Sequence, residues 1–184
     1  HYPLRRQRQM CIRDRLYDAP EHLKSIINRF VEKSGVKEPL SVKIQTNLPP
    51  SRGLGSSAAV AVAFVRASYD FMDQPLDDKT LIKEANWAEQ IAHGKPSGID
   101  TQTIVSNKPV WFKQGQAETL KSLKLNGYMV VIDTGVKGST KQAVEDVHVL
   151  CESDEYMKYI EHIGTLVHSA SESIEQHDFC LLYT

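Results

Sequence analysis

Leu23, Ile26, Ile27, Phe30 and Val31 recur at the three- and four-residue spacing of one buried helix face, with Asp18 and Pro20 ahead and Gly35 as a stop. A helix packed on a sheet is predicted there. From Leu40 to Thr46 the period falls to two. Leu40, Val42 and Ile44 alternate with Ser41, Lys43 and Gln45, as in a half-buried strand that runs into a glycine loop. Ala58 to Tyr69 is almost wholly small or apolar, which predicts a helix buried all round. After Phe71 an Asp73-Gln74-Pro75 turn leads to Asp77 or Asp78 as the N-cap of a helix that ends at Gly94. Pro109 to Phe112, Glu118 to Leu123 and Tyr128 to Ile132 read as strands, with Asn126-Gly127 as a hairpin turn between the last two. Beyond Ser139 the pattern is helical again, through Ala143, Val144, Val147 and Leu150 and then Met157, Ile160, Val167, Ala170 and Ile174. These elements predict an α+β fold, with a second domain beginning somewhere in residues 126–145.

The run Pro49-Pro50-Ser51-Arg52-Gly53-Leu54-Gly55-Ser56-Ser57-Ala58-Ala59 carries the most chemistry. Gly53 and Gly55 permit positive φ and close approach of backbone to a ligand. Ser56 and Ser57 place hydroxyls at the mouth of the following helix, whose free N–H groups and positive dipole end favour an anion. The other reading is a glycine turn with serine N-caps ahead of a core helix. A Walker-type loop is excluded, because no Gly-Lys-Ser/Thr ending stands at the required spacing.

On the helix after Asp77, residues Ile82, Ala85, Glu89 and Ala92 share one face, apolar but for Glu89. A carboxylate on an inward stripe needs a partner, and an ion pair or a snorkelling position at the edge of the face would satisfy it. Asp100 follows Pro96, Ser97 and Gly98, a segment too constrained for a helix, so its carboxylate is expected on a loop; the alternative is an N-cap for a short helix. His93, next to a helix-ending glycine, fits a capping role better than that of a base. Trp87, Trp111 and Tyr128 lie in periodic segments and read as core or rim packing.

The glycine-serine run, followed by His93-Gly94-Lys95-Pro96-Ser97-Gly98-Ile99-Asp100 and Asp133-Thr134-Gly135, resembles the superfamily of small-molecule kinases that includes galactokinase, homoserine kinase, mevalonate kinase and phosphomevalonate kinase. Within it the motifs look most like those of the bacterial mevalonate kinases, over about Leu16 to Phe179. The resemblance implies an N-terminal kinase domain with a ribosomal-protein-S5-domain-2-like mixed sheet and helices over residues 16–135. The start of a ferredoxin-like C-terminal domain would follow over 136–179. It implies ATP as cofactor, seated on Pro50, Arg52, Gly53, Leu54, Gly55, Ser56, Ser57 and Ala58. It also implies Mg²⁺ held by Ser57 and Glu89, Asp100 as proton acceptor, and Thr134 near an acid substrate. The implied reaction is phosphorylation of the C5 hydroxyl of mevalonate in the cytoplasm, with a possible homodimer. The alternatives are a phosphomevalonate or homoserine kinase, or a ligand-binding regulator without catalysis. A regulator would have no use for a proton acceptor.

Two family motifs, an N-terminal lysine strand and a C-terminal glycine-rich loop, have no counterpart here, so the resemblance implies a fragment that is inactive alone. Met10-Cys11-Ile12-Arg13-Asp14-Arg15 can be encoded by ATGTGTATAAGAGACAG, and the reverse complement of that string encodes Cys-Leu-Leu-Tyr-Thr, which is Cys180 to Thr184. Residues 1–15 and 180–184 are therefore expected to be non-native flanks. Those first residues hold five arginines and one aspartate, so a chain of net charge -1 has an acidic remainder near -5. Such a body speaks against nucleic acid as a partner, and any phosphate site must be local. Hydrophobic residues make up 41% of the chain, enough for one core and part of another, with no run long and apolar enough for a membrane. Cys151 is the one cysteine outside the suspected flanks, so no internal disulfide is expected.

Overall fold

The structure is a computed structural model that describes residues 20–38, 40–94, 96–113, 115–120, 130–136, 138–176 and 178. The suspected flanks lie outside them. The described elements are six helices and two strands, α1 to α4, then β1 and β2, then α5 and α6.

Helix α1 (Glu21–Ser34) starts behind Pro20 and stops at Gly35 in the left-handed conformation (φ 64°), whose N–H returns to the Val31 carbonyl. Only a residue without Cβ takes that backbone freely. Helix α2 (Ser56–Phe71) follows the glycine loop, and α3 (Asp78–His93) is capped by Asp77, whose side chain accepts from the Thr80 N–H. These three helices pack through Leu23, Ile26, Ile27, Phe30, Ala61, Val62, Phe64, Val65, Leu81, Ala85 and Ala88, which form the core. Ala61, Ala85 and Ala88 have no exposed surface, so the backbones approach closely at small residues. Phe30 meets Phe64 and Phe71 edge to face, at 5.9 and 5.8 Å between ring centres. Across the α1–α3 seam Arg29 Nε donates to Glu84 Oε2 at 2.9 Å, Lys33 also pairs with Glu84, and the Arg29 guanidinium lies over the Trp87 ring. Trp87 thus packs at the rim of the core, as its periodicity predicts.

Helix α4 (Ile99–Ser106) rests on α2 and α3 beside an antiparallel hairpin of β1 (Val110–Lys113) and β2 (Gln116–Thr119), which pairs Val110 with Thr119 and Lys113 with Gln116. The hairpin turns through Gly115 at φ 80°, a signal that the reading of the sequence passed over.

Several expectations need correction. Residues 40–46 form no strand: Leu40, Val42 and Ile44 are half-buried and their neighbours exposed, but no ladder pairs this segment among the described residues. Alternation fixes which side chains turn inward, whereas a strand also needs a partner. Helix α2 is not buried all round, since Ala63, Arg66 and Ala67 are exposed while α1, α3 and α4 cover its other sides. The second strand ends at Thr119 within the expected 118–123, and 130–132 are not a strand. The Asn126-Gly127 turn and Tyr128 lie outside the described residues. The strands therefore sit between helices, and the chain remains α+β.

The chain divides into two compact units, one of residues 1–119 with 136–138 and one of 120–135 with 139–184. In the second, Ser139 caps α5 (Thr140–Leu150), its hydroxyl accepting from the Gln142 N–H at 3.3 Å, and α6 (Asp154–Gln176) follows. Val144, Val147, Met157, Ile160, Ile163 and Val167 are exposed on them. Cys151 is a free thiol.

Candidate active site

The site grows from residues 51–57. Ser51, Gly53 and Gly55 take positive φ (59°, 68° and 62°), and backbone that alternates in this way turns successive N–H groups toward a common point, where an anion can sit. Space around Gly53 is open, so it is required for its dihedral angles. Gly55 is the N-cap of α2, without a side chain that caps. Ser56 and Ser57 therefore occupy the first turn rather than the cap. The first N–H groups of α2 have no carbonyl partner within the helix, and the dipole adds positive potential there.

Ser57 and Glu89 meet directly. The hydroxyl donates to Glu89 Oε1 at 2.6 Å, short because the acceptor is charged. Glu89 is buried on α3, 5% exposed, in a face made with Leu81, Ala85 and Ala88. Its other oxygen lies 3.5 Å from His93 Nε2 one turn later. His93 caps no carbonyl that the structure shows and instead faces this carboxylate.

His22 on α1 completes the group, with its Nε2 3.4 Å from Ser57 Oγ. Burial lowers the pKa of His22 below the ordinary histidine value; the Glu89 carboxylate opposes the shift and His93 adds to it, so the neutral ring is favoured. Sequence reasoning missed His22. The signal was present, because it precedes Ile26 by four residues and Phe30 by eight and so shares their inward stripe.

Asp100 lies against the loop. A Cβ built on Gly55 would stand 3.7 Å from Asp100 Cγ and 3.9 Å from Oδ2. Contrary to the loop expected from Pro96, Ser97 and Gly98, Asp100 sits in the first turn of α4 behind Gly98, the left-handed N-cap at φ 83°. The constraint ends at Gly98, and a carboxylate in the first helical turn is favoured by the dipole. The side chain of Asn86 from α3 seats this N-cap: a Cβ on Gly98 would come within 3.1 Å of Asn86 Nδ2. Asn86 is a second residue that sequence reasoning passed over.

Pro50, Leu54 and Ala58 complete the loop and helix mouth, with Ala58 buried, Pro50 and Leu54 exposed and Arg52 partly buried. Thr134 belongs to the second unit, exposed beside an Asp133 whose carboxylate accepts from the Gly135 N–H at 2.8 Å, as a simple turn requires.

A hydroxyl and a carboxylate oxygen make a hard donor pair suited to Mg²⁺, which usually takes few protein ligands and completes its shell with phosphate and water. Among the described residues no group of three or more His, Cys, Asp or Glu could hold a metal unaided. The pair thus fits a cation that arrives with a polyphosphate, beside a helix N-terminus that attracts one.

The chain is similar to known proteins. Residues 21–107 match the family described as GHMP kinases N terminal domain. The mevalonate kinase of Aeropyrum pernix is 34% identical over 145 residues, 76% of this chain and 44% of that protein. The mevalonate kinase of Pyrococcus abyssi is 33% identical over 83% of this chain and 46% of its own length. The crystal structure of mevalonate kinase from methicillin-resistant Staphylococcus aureus is 64% identical, with a TM-score of 0.70 over 90% of this chain and 53% of that one. The chain spans about half the length of the relatives it matches.

Proposed function

We propose that this chain, whose residues 21–107 match the GHMP kinases N terminal domain, is part of a cytoplasmic kinase that moves the γ-phosphoryl group of ATP to the C5 hydroxyl of mevalonate. The observation that carries this reading is the 64% identity to a solved mevalonate kinase over nine-tenths of the chain.

The site's own residues supply a mechanism. The N–H groups of residues 51–57 and the α2 N-terminus hold the phosphates of ATP, with Ser56 and Arg52 beside them. Ser57 and Glu89 would hold the Mg²⁺ that the family resemblance implies, and that ion would supply charge neutralisation at the phosphates. Asp100, set against Gly55, accepts the proton of the attacking hydroxyl. The new bond forms between that oxygen and the γ phosphorus, the bond from γ phosphorus to the bridging oxygen breaks, and ADP leaves. Positioning and electrostatics supply most of the rate in such transfers.

The test is a panel of acceptors for the full-length protein that contains this chain. ADP release with MgATP is expected to be fastest, by kcat/KM, on mevalonate, and slow or absent on phosphomevalonate and homoserine. A preference for either of those two would reassign the substrate within the family.

A further inference from the structure

We propose that His22 is a positioning residue for the cation: its Nε2 accepts a hydrogen bond from the Ser57 hydroxyl when a divalent cation takes the Ser57–Glu89 pair, leaving an oxygen lone pair free for the metal. This rests on the reading of Ser57 and Glu89 as cation ligands.

A serine hydroxyl carries one proton and two lone pairs. In the structure the proton lies along the 2.6 Å line to Glu89 Oε1, between the two oxygens that a cation must engage together. Once both oxygens turn lone pairs to one cation, that line is closed to the proton. Few alternatives exist on three packed helices. Among the described residues, Glu89 Oε1 at 2.6 Å and His22 Nε2 at 3.4 Å are the hydrogen-bonding partners of Ser57 Oγ. Imidazole suits the exchange, since the same nitrogen donates in one tautomer and accepts in the other. In the arrangement seen, His22 Nε2–H can donate to Ser57 while Ser57 donates to Glu89. With the cation in place the direction reverses, and His22 carries its proton on Nδ1. His93 cannot substitute, because its Nε2 faces Glu89 Oε2. Partners that orient a metal ligand in this way commonly govern metal affinity about 10- to 100-fold.

The experiment uses the full-length protein with Mn²⁺ as a paramagnetic probe and a non-hydrolysable ATP analogue, reading free Mn²⁺ by electron paramagnetic resonance. His22→Ala is expected to weaken Mn²⁺ binding in the nucleotide complex roughly 10- to 100-fold. His22→Gln, whose amide oxygen reaches about as far as Nε2, is expected to restore most of it. Ser57→Ala and Glu89→Gln report on the underlying site. Normal Mn²⁺ affinity in His22→Ala, with loss in Ser57→Ala and Glu89→Gln, overturns the role of His22 and leaves the cation site standing. Equal losses in His22→Ala and His22→Gln also overturn it, because ring packing rather than an acceptor would then be at work. Normal affinity in Ser57→Ala and Glu89→Gln overturns the cation site itself.

Discussion

Asp100 and Glu89 are both carboxylates of the candidate site, yet their surroundings differ: one is exposed in the first turn of α4 and the other is 5% exposed on α3. Different surroundings imply different tests. Asp100→Asn removes the proposed proton acceptor while keeping size, so in the full-length protein kcat is expected to fall at least roughly 10²-fold with nucleotide affinity nearly unchanged. Near-normal turnover would reduce Asp100 to a substrate-orienting group. Glu89 is a buried carboxylate that accepts from the Ser57 hydroxyl at 2.6 Å and lies 3.5 Å from the half-buried His93 ring. Gln keeps an oxygen that can accept from the Ser57 hydroxyl, so the buried hydrogen bond survives without the charge. Glu89→Gln is therefore expected to leave the urea midpoint nearly unchanged while MgATP-dependent turnover collapses. A lower midpoint with normal turnover would make Glu89 a structural ion-pair residue. At this scale the sequence exposed Ser57, Glu89 and Asp100 as candidates, because a carboxylate on an apolar stripe or beside glycines stands out. His22 escaped notice because a histidine on an amphipathic helix looks ordinary until a serine from another helix faces it.

Helix ends were legible because caps are local chemistry: Gly35 and Gly94 stop α1 and α3, and Asp77 starts α3. The strand expected at residues 40–46 depended on a neighbour that no local pattern reveals. Gly98 shows what an element boundary does for the site. Its φ of 83° disfavours any side chain by about 1–2 kcal/mol, and a Cβ would also press on Asn86. Gly98→Ala is expected to lower stability by at least that amount in urea titrations, and to cut turnover by shifting Asp100 away from Gly55. Unchanged turnover would mean that α4 can move without harm. The α1–α3 clasp gives a pH dependence. Burial pushes the Glu84 carboxyl up, but hydrogen bonds from Arg29 and Lys33 and their charges outweigh it and hold the pKa below the ordinary value of 4.5. Hydrogen bonds from Thr80 likewise lower that of Asp77. A depressed carboxyl pKa stabilises the fold above its unfolded value, and the contribution fades as pH falls toward the folded value. Urea midpoints are thus expected to drop below about pH 4.5, less steeply in Glu84→Gln. Parallel pH profiles for the two proteins would deny Glu84 this role.

At the level of the whole molecule, the α+β class and the likeness to the GHMP kinases could be read from the helix and strand patterns and the glycine-serine and Pro-Ser-Gly-Ile-Asp runs, since both are carried by short stretches of chain. The exact bounds of the two units depend on contacts between distant segments, which no short stretch of sequence fixes. Helices α5 and α6 expose Val144, Val147, Met157, Ile160 and Ile163. Apolar surface left in water attracts hydrophobic probes, so this 184-residue chain, expressed alone, is expected to bind an anilinonaphthalene dye. The central measurement follows the transferred group itself, with γ-labelled ATP, the full-length protein and mevalonate, and product identification by phosphorus NMR and mass spectrometry. The expected result is stoichiometric ADP and a single phosphate monoester at the C5 oxygen of mevalonate, lost in Asp100→Asn. Label appearing only as inorganic phosphate, or on mevalonate at an undiminished rate in Asp100→Asn, would contradict it.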